Sequence, residues 1–222
     1  MELISAETSL VIAGAWNPAI LTPQWVLKHG LGKDGPDQRV QVFIPAAPNM
    51  IFEAPRYALD ELAFSVQPNA VVLSPSAITM EKLHILEDAA ARTLAELRHT
   101  PVSGVGHNFE FRDQDPSAKH LEVFTKSRQD LADRMPGGWD AAAVSIAASF
   151  KNAAETVFMN MTRKFDAGCI SVKFNFHHPV SSIDQVLAVL KGERGYPRMT
   201  ENLQMANSLI ATLYGGRNGD GL

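Results

Sequence analysis

Three segments in the second half of the chain constrain the fold most, because apolar and polar residues alternate along them. Residues 142–150, 156–165 and 169–177 each place apolar side chains on one face, and only a few residues separate one segment from the next. Strict alternation is typical of a strand with one buried and one wetter face. Connections this short join antiparallel neighbours. The three segments therefore predict an antiparallel sheet.

The rest of the chain predicts further strands mixed with helices. We predict strands at 9–15, 40–44 and 102–111, and a β-hairpin in which 62–66 and 71–73 flank the turn signal at 67–70. Helical spacing or capping residues predict helices at 24–29, 79–97, 117–134, 182–190 and 200–214. Strict strand–helix–strand alternation is absent. The order therefore predicts an α+β fold, a mostly antiparallel sheet with helices packed on one face.

The domain organisation follows from length and from the lack of a hinge. A chain of 222 residues is enough for one large domain or two small ones, and no Ser- or Gly-rich linker divides it. We expect a single α+β domain over 1–222, with two pseudo-duplicated halves, 1–135 and 136–214, as a further hypothesis. Residues 215–222 form a Gly-rich tail.

Charge and cysteine content exclude several classes of function. Lys and Arg number 20 against 24 Asp and Glu, so the net charge is −4, and nucleic-acid binding is not predicted because it needs clustered cations. The lone Cys169 excludes an internal disulfide, which fits a reducing compartment. The first residues lack the basic start of a signal peptide, and no apolar run reaches about 18 residues. We therefore expect a cytoplasmic protein that does not act at a membrane.

Two predicted strands resemble one another and suggest a site. Residues 106–111 read Gly-His-Asn-Phe-Glu-Phe, and residues 173–178 read Lys-Phe-Asn-Phe-His-His. Side chains alternate across a strand, so Asn108 and Glu110 share one face, and Asn175 and His177 share theirs. If the strands are neighbours, these four residues form a ligand-binding or catalytic patch, with His177 as acid or base and Glu110 as its orienting partner. The alternative is that they form only the wet face of a half-buried sheet.

Familiar catalytic and metal motifs fail on geometry. The Gly104-Val105-Gly106 pattern lacks a third glycine and continues as a strand, whereas a dinucleotide site needs the start of a helix. His177 and His178 are adjacent on a strand and point to opposite faces, so one ion cannot easily bind both. We expect no metal and no cofactor.

A proline-stiffened segment near the N-terminus suggests an interaction surface. Rigid aromatic loops lose little entropy on binding and make good anchors. The candidate interface residues are Trp16, Ile20, Leu21 and Trp25. The alternative is that the two tryptophan rings cover the sheet of the same chain. Residues 46–57 form a loop of similar character.

These observations leave two hypotheses for function. The first is a non-enzymatic protein of bacterial or phage type, acting as a homo-oligomer or as a subunit of a larger protein complex. The second is a small-molecule binding protein or enzyme that uses the Asn/Glu/His patch. Adjacency of the two Asn-Phe strands is the observation that most helps to separate them.

Overall fold

The computed structural model describes residues 1–35, 39–44, 54–132, 134–135, 137, 142–152 and 157–215. The loop predicted around 46–57 falls largely outside these residues, as does the Gly-rich tail beyond 215. None of the described helices combines the length and the apolar character needed to span a bilayer.

The described residues form ten strands, and most of them lie where alternation predicts them. The strands are β1 (Glu2–Leu3), β2 (Ser9–Gly14), β3 (Gln41–Phe43), β4 (Arg56–Ala58), β5 (Leu62–Gln67), β6 (Ala70–Pro75), β7 (Val102–Asp113), β8 (Ala143–Lys151), β9 (Phe158–Asp166) and β10 (Cys169–Pro179). The predicted hairpin is β5–β6, and the three alternating segments are β8, β9 and β10. No pattern predicts β1 or β4, because both strands are too short to show a period.

Five α-helices are described, and side-chain caps fix several of their starts. They are α1 (Pro23–Trp25), α2 (Met80–Glu96), α3 (Ala118–Ala132), α4 (Ile183–Lys191) and α5 (Met199–Tyr214). The Thr79 hydroxyl accepts from the Lys82 amide at 3.2 Å, and the Ser182 hydroxyl accepts from the Gln185 amide at 3.3 Å. Such bonds satisfy amides that have no partner within the helix. The helix predicted at 24–29 is α1 followed by a π-helical turn, Val26–Gly30.

All ten strands join one antiparallel sheet in the order β3-β4-β5-β6-β2-β7-β10-β9-β8, with β1 beside β7. Strand β7 comes from the first predicted half and β10 from the second, and they pair along ten residues. One sheet therefore runs through both predicted halves. The second half is a simple meander, whereas β2 of the first half is inserted between β6 and β7. The two halves do not repeat one strand order, which counts against duplication.

The two faces of the sheet differ sharply. One face carries buried phenylalanines such as Phe109, Phe174 and Phe176, and it shares a core with apolar residues of α2, α4 and α5. Helix α3 joins this face through Phe124, whose ring lies 6.0 Å from that of Phe165. We call it the helix face. The other face, which we call the open face, carries the polar members of the alternating strands. This arrangement confirms the predicted α+β fold.

Candidate functional site

The two look-alike strands are neighbours, and their asparagines lie directly opposite one another. Strands β7 and β10 pair antiparallel, with Asn108 facing Asn175. A third asparagine, Asn160 on β9, faces Asn175 from the other side. Ser9 on β2 and Ser149 on β8 extend the same line at its two ends. We call this line of five polar side chains the amide row.

A chain of hydrogen bonds runs through the amide row in one direction. The Ser149 hydroxyl donates to Asn160 Oδ1 at 2.6 Å, and Asn160 Nδ2 donates to Asn175 Oδ1 at 3.1 Å. Asn175 Nδ2 donates to Asn108 Oδ1 at 2.7 Å, and Asn108 Nδ2 donates to the Ser9 hydroxyl at 3.1 Å. Bonds aligned in this way polarise one another, so the row is stronger than separate pairs would be.

Each carboxamide in the row keeps hydrogen-bonding capacity for something else. A carboxamide has two N–H donors and two acceptor positions. Along the row each asparagine uses one donor and one acceptor. One donor and one acceptor per side chain therefore remain for a ligand or for water. The three asparagines are half-buried.

Glu110 lies beside the row and is held as a carboxylate by two cations. Its side chain is only 3% exposed. Glu110 Oε1 lies 2.6 Å from Arg112 Nε, and Glu110 Oε2 lies 2.9 Å from Lys173 Nζ. Burial alone would raise the pKa of Glu110, but the hydrogen bonds from Lys173 and Arg112 outweigh it and hold the pKa below its ordinary value. Glu110 is therefore ionised near neutral pH and is a poor general acid or base there.

A shallow depression on the open face joins most of the predicted patch. Its volume is about 340 Å³. The side chains that supply its polar lining are Glu7, Ser9, Asn108, Glu110, Asn160, Thr162, Lys173 and Asn175. Three of the four residues predicted for the patch, Asn108, Glu110 and Asn175, therefore border one space.

His177 lies on the open face but outside this lining. It faces Gly106, and a methyl group built on Gly104 would come within 2.8 Å of its ring, so the imidazole covers Gly104. Glu110 is four residues farther along β7 than Gly106, which separates it from the His177 position by about 13 Å at strand spacing. The predicted pairing of Glu110 with His177 is therefore wrong, because the antiparallel register places the amide row between them.

A second polar cluster, which sequence reasoning missed, lies buried on the helix face. Asn202 Nδ2 is 2.9 Å from His107 Nδ1 and 3.4 Å from His178 Nε2. Burial holds the pKa of His107 well below its ordinary value, and burial followed by the nearby His177 lowers that of His178 to about 4. Both imidazoles are therefore neutral at physiological pH. Three separate elements form this cluster, so no local pattern signals it.

Of the four predicted interface residues, two lie in the core, Trp25 is partly buried against it, and Ile20 is exposed. Trp16 is 6% exposed and Leu21 is 2% exposed, and the Trp16 indole N–H donates to the Ile12 carbonyl at 3.0 Å. These two residues belong to the chain's own core. Ile20 is 41% exposed, and the Trp25 ring stacks on His29 with centroids 4.6 Å apart. For Ile20 and Trp25 the interface stays a prediction.

Neither a metal-binding group nor a similarity to known proteins indicates the function. Within the described part of the chain, no three His, Cys, Asp or Glu residues are grouped so that they could hold a metal ion. No protein-family model matches the chain, and no curated protein matches its sequence. The function of the protein is therefore inferred from the geometry of the open face.

Proposed function

We propose that the protein binds a small, uncharged, hydroxyl- or amide-bearing molecule in the depression over the amide row. The observation that carries this proposal is the row itself. It presents three neighbouring carboxamides, each with one donor and one acceptor still to be used. Alternating donors and acceptors suit a ligand whose groups both donate and accept, as hydroxyls do.

Local charge supports an uncharged ligand. Glu110 is paired with Arg112 and Lys173, and Glu7 Oε1 lies 3.9 Å from Arg112 Nη2. These four side chains, two carboxylates and two cations, together carry no net charge. A strongly charged ligand would have to break these pairs, whereas a neutral polyol or amide would leave them in place.

We propose binding without catalysis. A general base needs a pKa near the working pH, and Glu110 is held below its ordinary value by its cations. His177, the other candidate, lies outside the lining of the depression. Neither of the two predicted catalytic residues therefore meets this requirement in the depression.

The proposal is tested by measuring whether saccharides stabilise the protein. Glucose, galactose, maltose and myo-inositol at about 10 mM would be screened by thermal unfolding, and any hit titrated by calorimetry. We expect at least one hit, with affinity reduced about tenfold by Thr162→Val or Asn175→Leu, since each removes hydrogen bonds to the ligand. Ser145→Ala, on the same face outside the lining, is the matched control. No stabilisation by any compound, or equal affinity in all variants, would contradict the proposal.

We propose as a second function that the protein is a subunit of a homo-oligomer or of a larger protein assembly. Phe150 is 48% exposed and Met205 is 52% exposed, and both line one groove at the β8 side of the molecule. Large apolar side chains grouped on a surface mark interaction sites. The acidic net charge supports protein rather than nucleic acid as the partner, and the free, half-exposed Cys169 supports a cytoplasmic setting.

A further inference from the structure

Strand β8 is the last strand at one edge of the sheet that the described residues form. It pairs with β9 along nine residues with no register shift, and it ends the strand order. No strand in the described ranges pairs with its other side. The opposite edge, β3, has only three residues. A long edge strand presents a row of backbone N–H and C=O groups that can pair with another chain.

Several of the usual protections against edge pairing are absent from β8. Proteins blunt such edges with prolines, bulges, inward charges or short strands. The sequence Ala-Val-Ser-Ile-Ala-Ala-Ser-Phe-Lys contains no proline and no acidic residue. Its one charge, Lys151, is the last residue, and its ammonium lies 5.6 Å from the centre of the Phe158 ring. The edge is therefore suited to pairing.

An apolar groove adjoins this edge on the helix face. Its volume is about 220 Å³, and its lining includes Phe150, Met159, Phe176 and Met205. Phe150 is the last apolar residue of β8, so a strand added to the edge would place side chains directly beside it. The same partner would thus satisfy the backbone of β8 and cover an exposed ring.

We infer that β8 pairs antiparallel with β8 of a second copy of this chain, about a twofold axis at Ala147, so that one sheet runs through both copies. This inference rests on the second proposed function, self-association. The pairing about that axis sets Ala143 against Lys151, Val144 against Phe150, Ser145 against Ser149, and Ile146 against Ala148.

The sequence of β8 is complementary to itself in this register. Paired residues always lie on the same face, so helix-face side chains meet helix-face side chains and open-face side chains meet open-face side chains. Phe150 faces Val144 of the second copy on the helix face, and Ser149 faces Ser145 of the second copy on the open face. The two Lys151 side chains lie at opposite ends of the interface. Like charges placed directly opposite would destabilise the pair.

Charged residues introduced at position 147 test this geometry. On the twofold axis, Ala147 of one copy lies opposite Ala147 of the second copy. Its side chain is exposed on the open face, so substitutions there leave the core intact. Ala147→Lys and Ala147→Glu would each set two like charges opposite one another. We expect each to raise the dissociation constant of the dimer about tenfold. Mixing the two variants would restore association, since opposite charges then meet. Gln41→Lys, on the exposed β3 edge, is the matched control.

The molar mass of each protein is measured by light scattering after size-exclusion chromatography, at protein concentrations of about 5 and about 100 µM. We expect wild type and Gln41→Lys to have twice the 24.2 kDa mass of the chain at the higher concentration. A dimer that persists in both Ala147 variants overturns the β8 interface and leaves self-association standing. A wild-type monomer at the higher concentration overturns both. If a variant fails to fold, hydrogen exchange of the β8 amides in the wild-type protein replaces it as the test. We expect these amides to exchange more slowly at the higher protein concentration. Equal exchange rates at the two concentrations would contradict the inference.

Discussion

Glu87 gives the sharpest test of the buried electrostatics. This glutamate on α2 is fully buried, and its Oε1 accepts from the Met199 amide at 2.9 Å. Burial raises the pKa of Glu87 to about 7, although the Met199 amide and Arg198 oppose the rise. Replacing it by glutamine keeps the shape and an acceptor for Met199 but removes the titration. Glu87→Gln therefore isolates the effect of one buried proton on stability.

The size of the effect follows from the difference in pKa between the folded and unfolded states. A group whose pKa is higher in the folded state stabilises fully below its unfolded pKa, and that stability is lost as pH rises through the folded pKa. For Glu87 these values are 4.5 and about 7. At 1.36 kcal/mol per pKa unit, the wild type loses roughly 2.5 kcal/mol through Glu87 between pH 5 and pH 8. Glu87→Gln has no such loss.

Urea unfolding at pH 5 and pH 8 measures this directly. We expect nearly equal free energies of unfolding for Glu87→Gln and wild type at pH 5, and a variant more stable by roughly 2.5 kcal/mol at pH 8. Glu96→Gln, at the exposed end of the same helix, should follow the wild-type profile. A constant difference between Glu87→Gln and wild type at the two pH values would refute the reasoning.

Three further predictions concern stability, each measured by urea unfolding. His178→Phe should remove a wild-type loss of roughly 3 kcal/mol between pH 7.5 and pH 4, because burial lowers the pKa of His178 to about 4 and only the unfolded histidine binds a proton in that window. Gly14→Ala should cost about 1 to 3 kcal/mol, since its methyl group would collide with the Pro101 carbonyl oxygen. Asn175→Leu should cost about 2 kcal/mol by breaking two bonds of the amide row, and Ser149→Ala about half as much; equal costs would argue against a connected row.

Local patterns are sufficient for most of the fold. Alternation in β8, β9 and β10 predicts both the strands and the division into two faces, because a strand has only two sides. Capping residues such as Thr79 and Ser182 mark helix starts correctly, because their hydroxyls satisfy amides within one turn.

The amide row could be predicted only in part. Sequence reasoning missed Asn160, although the turn after β9 carries the signal for it. Ala167 and Gly168 adopt positive φ of 48° and 82°, a two-residue turn that sets Cys169 against Asp166. Counting back along both strands from that turn places Asn160 opposite Asn175.

Contacts between distant segments cannot be read from local patterns. The register of β7 on β10 has no turn to fix it, so the sequence alone pairs Glu110 wrongly with His177. Trp16 shares the proline-rich segment with exposed Ile20, and only tertiary packing decides which side chain enters the core. The His107, His178 and Asn202 cluster likewise exists only after β7, β10 and α5 have come together.

Side-chain amide NMR during a saccharide titration tests the central claim most directly. The proposal that the amide row binds a neutral polar ligand predicts that the carboxamide signals of Asn108, Asn160 and Asn175 shift together and saturate at one ligand concentration. Asn202, buried on the helix face, and Asn69, at the β5–β6 turn, should not move. Saturable shifts confined to Asn69 or Asn202, or no saturable shift with any saccharide of the panel, would contradict the proposal.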